Sequence, residues 1–503
     1  MESTVYFESN NGNGYLYDMQ NSCIVNCHPV FKDFMKLSAD NLESDLYAVI
    51  QTKYPSMTIE ELKHYYQKYL HLRGGGLFGS IDSKKHLAGR ISAQVVAQQL
   101  ANIDNVVFQV THQCNLNCVY CCYGDLYNHA DIAPRHDSMN FEQAKVLIDH
   151  LVVLWDSDLN LSQGGNIMLG FYGGEPLINF RLIEQIVEYV QTLHLKNHST
   201  FLFSMTTNGI LLDRYMDFLV KHEVSLLISL DGNSVHNQLR VDKKGTPSFD
   251  RVYANINLLR ERYPGYFKRK VHFNSVLNCY SNAESVNCYS NAESVHQFIY
   301  GEFNKVPGIE TITYTGVKKG KMEHFRKIYR PYVESTDLLR ARERNSAQIR
   351  NAGYFFYYHI GNSYRHYIEL LLKERKGYPR IPTGTCLPFW KKLFVTPSGD
   401  LLACERIGFQ HVLGRIEEAV KVDCVEIADK YNRYYEAISK QCEHCYQADF
   451  CPHCLFQFDF KGGLPVCEVA MDENEYKEYL SDKISMLEIA PDLYNSVNTM
   501  IFA

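Results

Sequence analysis

The sequence predicts an α/β fold: six β/α units in a parallel sheet, open or curled into a partial barrel, preceded by a winged-helix-like domain and followed by a cysteine-rich one. Three observations carry this. From residue 105 to about residue 330, strand-like apolar runs alternate with stretches of helical period. The first 80 residues read as a strand pair followed by helices. From Thr383 the elements shorten and cysteines crowd together.

The chain has 503 residues, which at roughly 100–200 residues per domain implies about three domains. Its 46% hydrophobic and 21% charged content fit a folded protein rather than a disordered one. A formal net charge of −6 gives no reason to expect nucleic acid as a partner. No apolar run approaches the roughly 20 residues of a membrane span, so no membrane partner is expected. Met1–Asn13 is polar and lacks a signal-peptide layout. A cytoplasmic location is therefore expected, where thiols stay reduced.

In the domain at residues 1–80, Tyr15–Tyr17 and Cys23–Val25 are expected strands around the turn Asp18–Asn21. Helices follow near Val30–Leu37 and Leu46–Thr52. Thr58-Ile59-Glu60-Glu61 reads as a capping box that opens a third helix, and Gly74-Gly75-Gly76 breaks the chain. Residues 81–104 are expected to form a linker helix.

The partial barrel, residues 105–330, has expected strands at Val106–Thr111, Ile167–Tyr172, Phe201–Thr206, Ser225–Leu230, Val271–Leu277 and Thr311–Thr315. Helices between them include Phe141–Leu154, Leu182–Leu193 and Phe249–Arg262. Buried-looking strands separated by helices imply a parallel sheet, with its chemistry at the C-terminal strand ends. The tandem repeat NCYSNAESV, at 278–286 and 287–295, is too short for a solenoid and reads as a duplication lengthening a loop. Residues 331–380 read as a helical connector, 381–470 as the cysteine-rich domain and 471–503 as a helical tail.

Sixteen cysteines in a large chain of this kind suit metal binding or chemistry better than disulfides. Ten fall into two spaced groups. Cys23, Cys27, Cys122, Cys279, Cys288 and Cys424 fit no ligand spacing and read as small buried residues. The first group is Cys114-x3-Cys118-x2-Cys121, directly after the first strand of the barrel. Three thiolates can hold three corners of a four-iron cluster and leave one iron open. A zinc knuckle is the other reading; it needs a fourth ligand, and His112 is the candidate.

With Tyr120 before its last cysteine, this motif resembles that of the radical S-adenosylmethionine (SAM) superfamily. The resemblance implies that Cys114, Cys118 and Cys121 ligate a 4Fe-4S cluster whose open iron chelates the methionyl amino and carboxylate groups. One electron then splits the C–S bond to give a 5′-deoxyadenosyl radical. The resemblance also implies that Tyr120 lies near the adenine and that Gly173, Gly174, Glu175 and Pro176 hold the methionyl amino group. Glycines let a backbone approach a ligand, and a carboxylate accepts from an ammonium. Asn208 in Thr207-Asn208-Gly209 ends the third strand. Ser229 and Asp231, ending the fourth, would meet the ribose hydroxyls, and Arg240 would face the carboxylate.

The second group runs Cys386, Cys404, Cys442-x2-Cys445-x5-Cys451-x2-Cys454, Cys467. Paired C-x2-C units also suit zinc ribbons, but seven cysteines fall one short of two four-cysteine sites. The spacing resembles the SPASM domain, the C-terminal extension of a subgroup of radical SAM enzymes. By that resemblance Cys442, Cys445, Cys451 and Cys467 hold an outer auxiliary cluster, and Cys386, Cys404 and Cys454 an inner one. The chain departs from the family twice. Tyr378–Thr385 lacks the eighth cysteine, and Cys451 and Cys454 are separated by two residues where three are usual. A vacant inner iron would then be open to a substrate thiolate.

SPASM enzymes mostly modify peptides or proteins, and the N-terminal domain resembles elements that capture a leader segment by strand addition. The resemblance implies a maturase that cross-links a precursor peptide with a leader, by thioether formation, with a flavodoxin or ferredoxin as electron donor. It implies SAM and three 4Fe-4S clusters as cofactors. The alternatives are a sulfatase-type maturase that makes formylglycine and a non-catalytic zinc-binding adaptor. No spacing singles out a catalytic acid or base.

Overall fold

A computed structural model describes residues 4–489 apart from 19–22, 38–42, 76–86, 129–136, 163–164, 197–199, 282–290, 315, 330–380, 449–450 and 452. The expected connector and half of the NCYSNAESV repeat, residues 282–290, therefore lie outside the described residues. So do the turn Asp18–Asn21, beyond its first residue, and the end of the helical tail.

The chain opens with three strands, not two: β1 (Thr4–Glu8), β2 (Gly14–Asp18) and β3 (Cys23–Asn26), in the antiparallel order β1-β2-β3. Helices α1 (Val30–Leu37), α2 (Glu43–Lys53) and α3 (Ile59–Gly74) cover one face. Thr58 caps α3, accepting from the Glu61 N–H at 3.2 Å while the Glu61 carboxylate takes the Thr58 N–H at 2.8 Å. Val30, Phe31, Phe34, Leu46, Ile50, Leu62 and Tyr69 make the core of this domain. Helix α4 (Ala93–Ala101) leads out of it and starts at the Ser92 cap.

Six strands then form the parallel sheet: β4 (Asn105–Thr111), β5 (Ile167–Gly173), β6 (Phe201–Thr207), β7 (Ser225–Ser229), β8 (Val271–Leu277) and β9 (Gly308–Thr311), side by side in chain order. Helices α5 (Phe141–Trp155), α6 (Phe180–Gln191), α7 (Leu212–Lys221), α8 (Phe249–Arg262), α9 (Pro264–Lys270) and α10 (Asn291–Phe303) connect them. The last strand is shorter and earlier than Thr311–Thr315. Beyond Thr311 the backbone pairs instead with the first cysteine loop: the Asn128 N–H donates to the Gly316 carbonyl at 2.8 Å, and the Tyr127 hydroxyl to the Thr313 carbonyl at 2.7 Å.

The short helix α11 (Met322–Ile328) follows. The cysteine-rich region then joins the same sheet. β10 (Leu393–Val395) pairs in parallel with β4, and β11 (Asp400–Leu402), β12 (Gly414–Ile416) and β13 (Val420–Lys421) extend it antiparallel to ten strands. Helix α12 (Cys424–Cys442) packs against α4, where the Asn432 amide bridges both backbone groups of Ile91 at 2.9 and 2.8 Å. A hairpin of β14 (Asp459–Lys461) and β15 (Leu464–Val466) precedes α13 (Glu473–Ile489), which lies along β1. Among the described residues no helix is long and apolar enough to cross a membrane.

Candidate functional site

Cys114, Cys118 and Cys121 lie on the loop that leaves the C-terminal end of β4. This loop is held by backbone. The Asn117 N–H donates to the Val241 carbonyl at 2.7 Å and the Val119 N–H to the Leu239 carbonyl at 3.0 Å, while Leu116 bridges Asp242. Segment 239–242 thus clamps one side, and Thr313, Gly316 and Lys318 the other. Side-chain motifs gave no sign of this clamp, because it is made of backbone bonds between distant segments.

Gly173 and Gly174 sit against the same loop. An added Cβ would stand 2.3 Å from the Thr111 carbonyl oxygen at Gly173 and 2.3 Å from the Gln113 carbonyl oxygen at Gly174. Gly173 also has φ +147°, a conformation that L side chains rarely adopt. The glycines therefore admit a close approach of protein backbone: the Gly174 N–H reaches the Thr111 carbonyl at 2.9 Å and the Glu175 N–H the Gln113 carbonyl at 2.8 Å.

Glu175 is fully buried. One of its oxygens accepts from the Leu177 N–H at 3.1 Å and the Thr207 hydroxyl at 2.8 Å; the other accepts from the Asn208 N–H at 2.7 Å. Its carboxylate thus ties the end of β5 to the end of β6 and caps the short turn Pro176–Asn179, in which Pro176 is buried. Burial pushes its pKa up to about 7, against the pull of these donors. The Asn208 side chain reaches across to Cys114, with its amide nitrogen 3.7 Å from Sγ and 2.7 Å from the Asn115 Oδ1.

Ser229 closes β7, and Asp231 follows it, fully buried. One Asp231 oxygen accepts from the Val276 N–H at 3.1 Å and the other from the Tyr120 hydroxyl. Arg240 donates to that same hydroxyl at 2.9 Å and lies 3.6 Å from Asp231. Tyr120, Asp231 and Arg240 therefore form one buried network behind Cys118, and the Arg240 charge opposes the rise that burial imposes on the Cys118 thiol.

The three thiols are free, and burial pushes Cys114 up to about 12 and Cys118 up to about 11. Cys121 is also raised, by its hydrogen bond with Cys122 and by burial. Buried thiols with raised pKa values ionise only beside added positive charge. The Asn115 amide nitrogen is buried beside them without a partner among the described residues. This donor set fits a polycationic metal–sulfur group. Asn115 escaped the sequence reading because it fills an unspecified position of the cysteine motif.

In the second region, Cys442, Cys445, Cys451 and Cys467 come together where α12 ends. After burial, the other three sulfurs are what push Cys442 up to about 12. The Met471 N–H points at the Cys445 Sγ from 3.4 Å, and the Cys467 N–H is held by the Gln441 Oε1 at 2.8 Å. Cys386 and Cys454 form a second group, in which Cys386 raises the Cys454 thiol, after burial. Cys404 sits on the loop after β11 with its Sγ 3.5 Å from a Glu405 oxygen, and Lys392 pairs with that carboxylate at 3.1 Å. Among the described residues no three of His, Cys, Asp or Glu gather closely enough to hold a single metal ion.

Residues 108–278, from inside β4 to just past β8, match the family model described as the Radical SAM superfamily. This segment is a radical SAM domain. Such domains use SAM and a 4Fe-4S cluster. An uncharacterized protein of Methanocaldococcus jannaschii is 26% identical over 331 residues, covering 65% of this chain and 93% of its own length. The radical SAM cyclopropyl synthase TigE of Paramaledivibacter caminithermalis is 24% identical over 255 residues, 50% of each chain. Among solved structures, native anSMEcpe with bound AdoMet matches at TM-score 0.50 and 20% identity, covering 78% of this chain and 99% of that one. The same protein with bound AdoMet and Cp18Cys peptide matches at TM-score 0.50 and 19% identity, covering 79% of this chain and 99% of that one. At these identities the likeness speaks for the fold.

Proposed function

We propose that this radical SAM enzyme matures a ribosomally made precursor peptide, joining a peptide cysteine to a second residue through a thioether. The observation that carries this reading is the contact between the two thiol regions. On the loop that carries Cys404, Phe409 packs edge-on against His112 at 6.2 Å, two residues before Cys114. On the same loop Arg406 pairs with Glu310 of β9 at 3.3 Å. A substrate held there would lie between the loop of Cys114 and the loop of Cys404. A bound peptide in the solved anSMEcpe structure supports a peptide substrate. Among the described residues β3 pairs only with β2, and its outer edge suits strand addition by a leader segment.

Cys114, Cys118 and Cys121 would hold the SAM-binding cluster, Cys442, Cys445, Cys451 and Cys467 an outer auxiliary cluster, and Cys386, Cys404 and Cys454 an inner one. When bound, the first cluster supplies the electron that cleaves SAM to a 5′-deoxyadenosyl radical. The chain's own residues fix the geometry: Glu175 locks two strand ends together, and the Tyr120–Asp231–Arg240 network shapes the wall behind Cys118. A flavodoxin or ferredoxin would deliver electrons.

The test is anaerobic reconstitution, an iron count, and incubation with SAM, a reductant and the precursor peptide encoded beside the gene. About twelve irons and a product lighter by two hydrogens are expected. A product carrying formylglycine would establish the sulfatase-type reading instead. A colourless zinc protein would establish the adaptor reading.

A further inference from the structure

Tyr431 and Tyr435 are 0% and 1% exposed, and both hydroxyl oxygens are buried without a hydrogen-bond partner among the described residues. They stand four residues apart on α12, so they occupy the same face of the helix one turn apart. Their rings meet edge-on at 5.9 Å, and Phe456 packs against Tyr431 at 5.3 Å. Cys386 and Cys454 are close enough to both phenols to add to the rise that burial imposes on them. Gly384 and His453, each two residues or fewer from one of these cysteines, are joined by a 3.0 Å backbone bond, and the Leu455 N–H reaches the Thr385 hydroxyl at 2.8 Å.

A buried hydroxyl left without a partner is destabilising, and phenylalanine fills the same space without that cost. Two such hydroxyls at one spot, both beside the same pair of thiols, call for acceptor atoms that arrive with a bound group. Each phenol has one hydrogen to donate, and sulfur ligands of a metal cluster are acceptors.

We infer that Tyr431 and Tyr435 each donate a hydrogen bond to sulfur atoms of the group held by Cys386 and Cys454. This rests on the proposal that an iron–sulfur cluster sits there. Donors to cluster sulfur stabilise the reduced, more negative state and raise the reduction potential. The two tyrosines are positioning residues that set how readily the inner site takes up an electron.

The test uses the full chain with Cys114, Cys118 and Cys121 all replaced by Ala, so that only the auxiliary sites load. Tyr431→Phe, Tyr435→Phe and the double variant are compared in that background by iron content, by potentiometric titration followed by EPR, and by urea unfolding with and without iron. Unchanged iron content is expected, with the potential of one cluster moving negative in each single variant and further in the double. The iron-free Phe variants are expected to be at least as stable as their parent. Unchanged potentials at full iron loading would overturn the inference and leave the inner cluster standing. An equal loss of stability with and without iron would also overturn it, because the hydroxyls would then have a structural partner. A parent that binds only about four irons would remove the inner cluster itself, and the inference with it.

Discussion

The Arg240 guanidinium donates to the Tyr120 hydroxyl at 2.9 Å, and that hydroxyl donates in turn to the buried Asp231. Asp231 is 0% exposed and Arg240 8%, so the pair has little water to fall back on. Replacing one member leaves the other as an uncompensated buried charge, which costs about 3–5 kcal/mol. Arg240→Gln is expected to lose that much in urea unfolding. Tyr120→Phe, which removes only the shared hydroxyl, is expected to lose about 1–3 kcal/mol. The double variant Asp231→Asn with Arg240→Gln is expected to lose less than the sum of its singles, because the residues act as one network. Additive losses would show that they do not.

Glu175 gives a pH dependence with a definite sign. Burial raises its folded-state pKa from the ordinary carboxyl value of 4.5 to about 7. The folded chain therefore holds this proton more tightly than the unfolded chain. The resulting stability is fully present below pH 4.5 and is lost as pH rises through about 7. The shift corresponds to about 3 kcal/mol at most. Urea unfolding of the iron-free chain between pH 5 and 8 is expected to show this decline, and Glu175→Gln, which does not titrate, is expected to flatten it. The same slope in both proteins would mean that another group carries the effect.

The elements legible in the sequence were those specified by local pattern. The Thr58–Glu61 capping box, the helices at Val30 and Phe249, and five of the six parallel strands follow from cap residues and apolar spacing within a short window. Thr4–Glu8 reads as a polar terminus and becomes a strand only because β2 lies beside it. Thr313 and Tyr314 have strand-like side chains, yet their segment turns to serve the cysteine loop. The pairing of β10 with β4 joins Leu393 to Val106, a partner that no local window contains. Glu175 illustrates the same limit within the site. Its Gly-Gly-Glu-Pro motif is legible in a short window, but its bonds from Thr207 and Asn208 exist only once β5 and β6 are paired.

Tyr476 of α13 joins two regions that are far apart in sequence. It is 2% exposed, meets Tyr17 of β2 edge-on at 5.5 Å and lies 6.4 Å from Tyr446, the residue after Cys445. Further along the helix, Glu488 accepts from the Asn11 amide at 2.7 Å, the Asn13 amide at 2.9 Å and the Tyr15 hydroxyl at 2.6 Å. The helix thus runs from the outer thiol group to the N-terminal sheet and supplies part of the packing of that sheet. Truncating a buried aromatic costs about 3–5 kcal/mol, and here the loss falls on the contact between the two regions. Tyr476→Ala is expected to speed amide hydrogen exchange across 4–8 and 14–18 while leaving 201–207, in the middle of the parallel sheet, at the wild-type rate. Glu488→Gln, which keeps the packing and weakens one acceptor, is expected to produce a smaller change in the same strands. If exchange in β1 and β2 stays slow in Tyr476→Ala, the N-terminal sheet stands without the helix, and the two regions are neighbours rather than one mechanical unit.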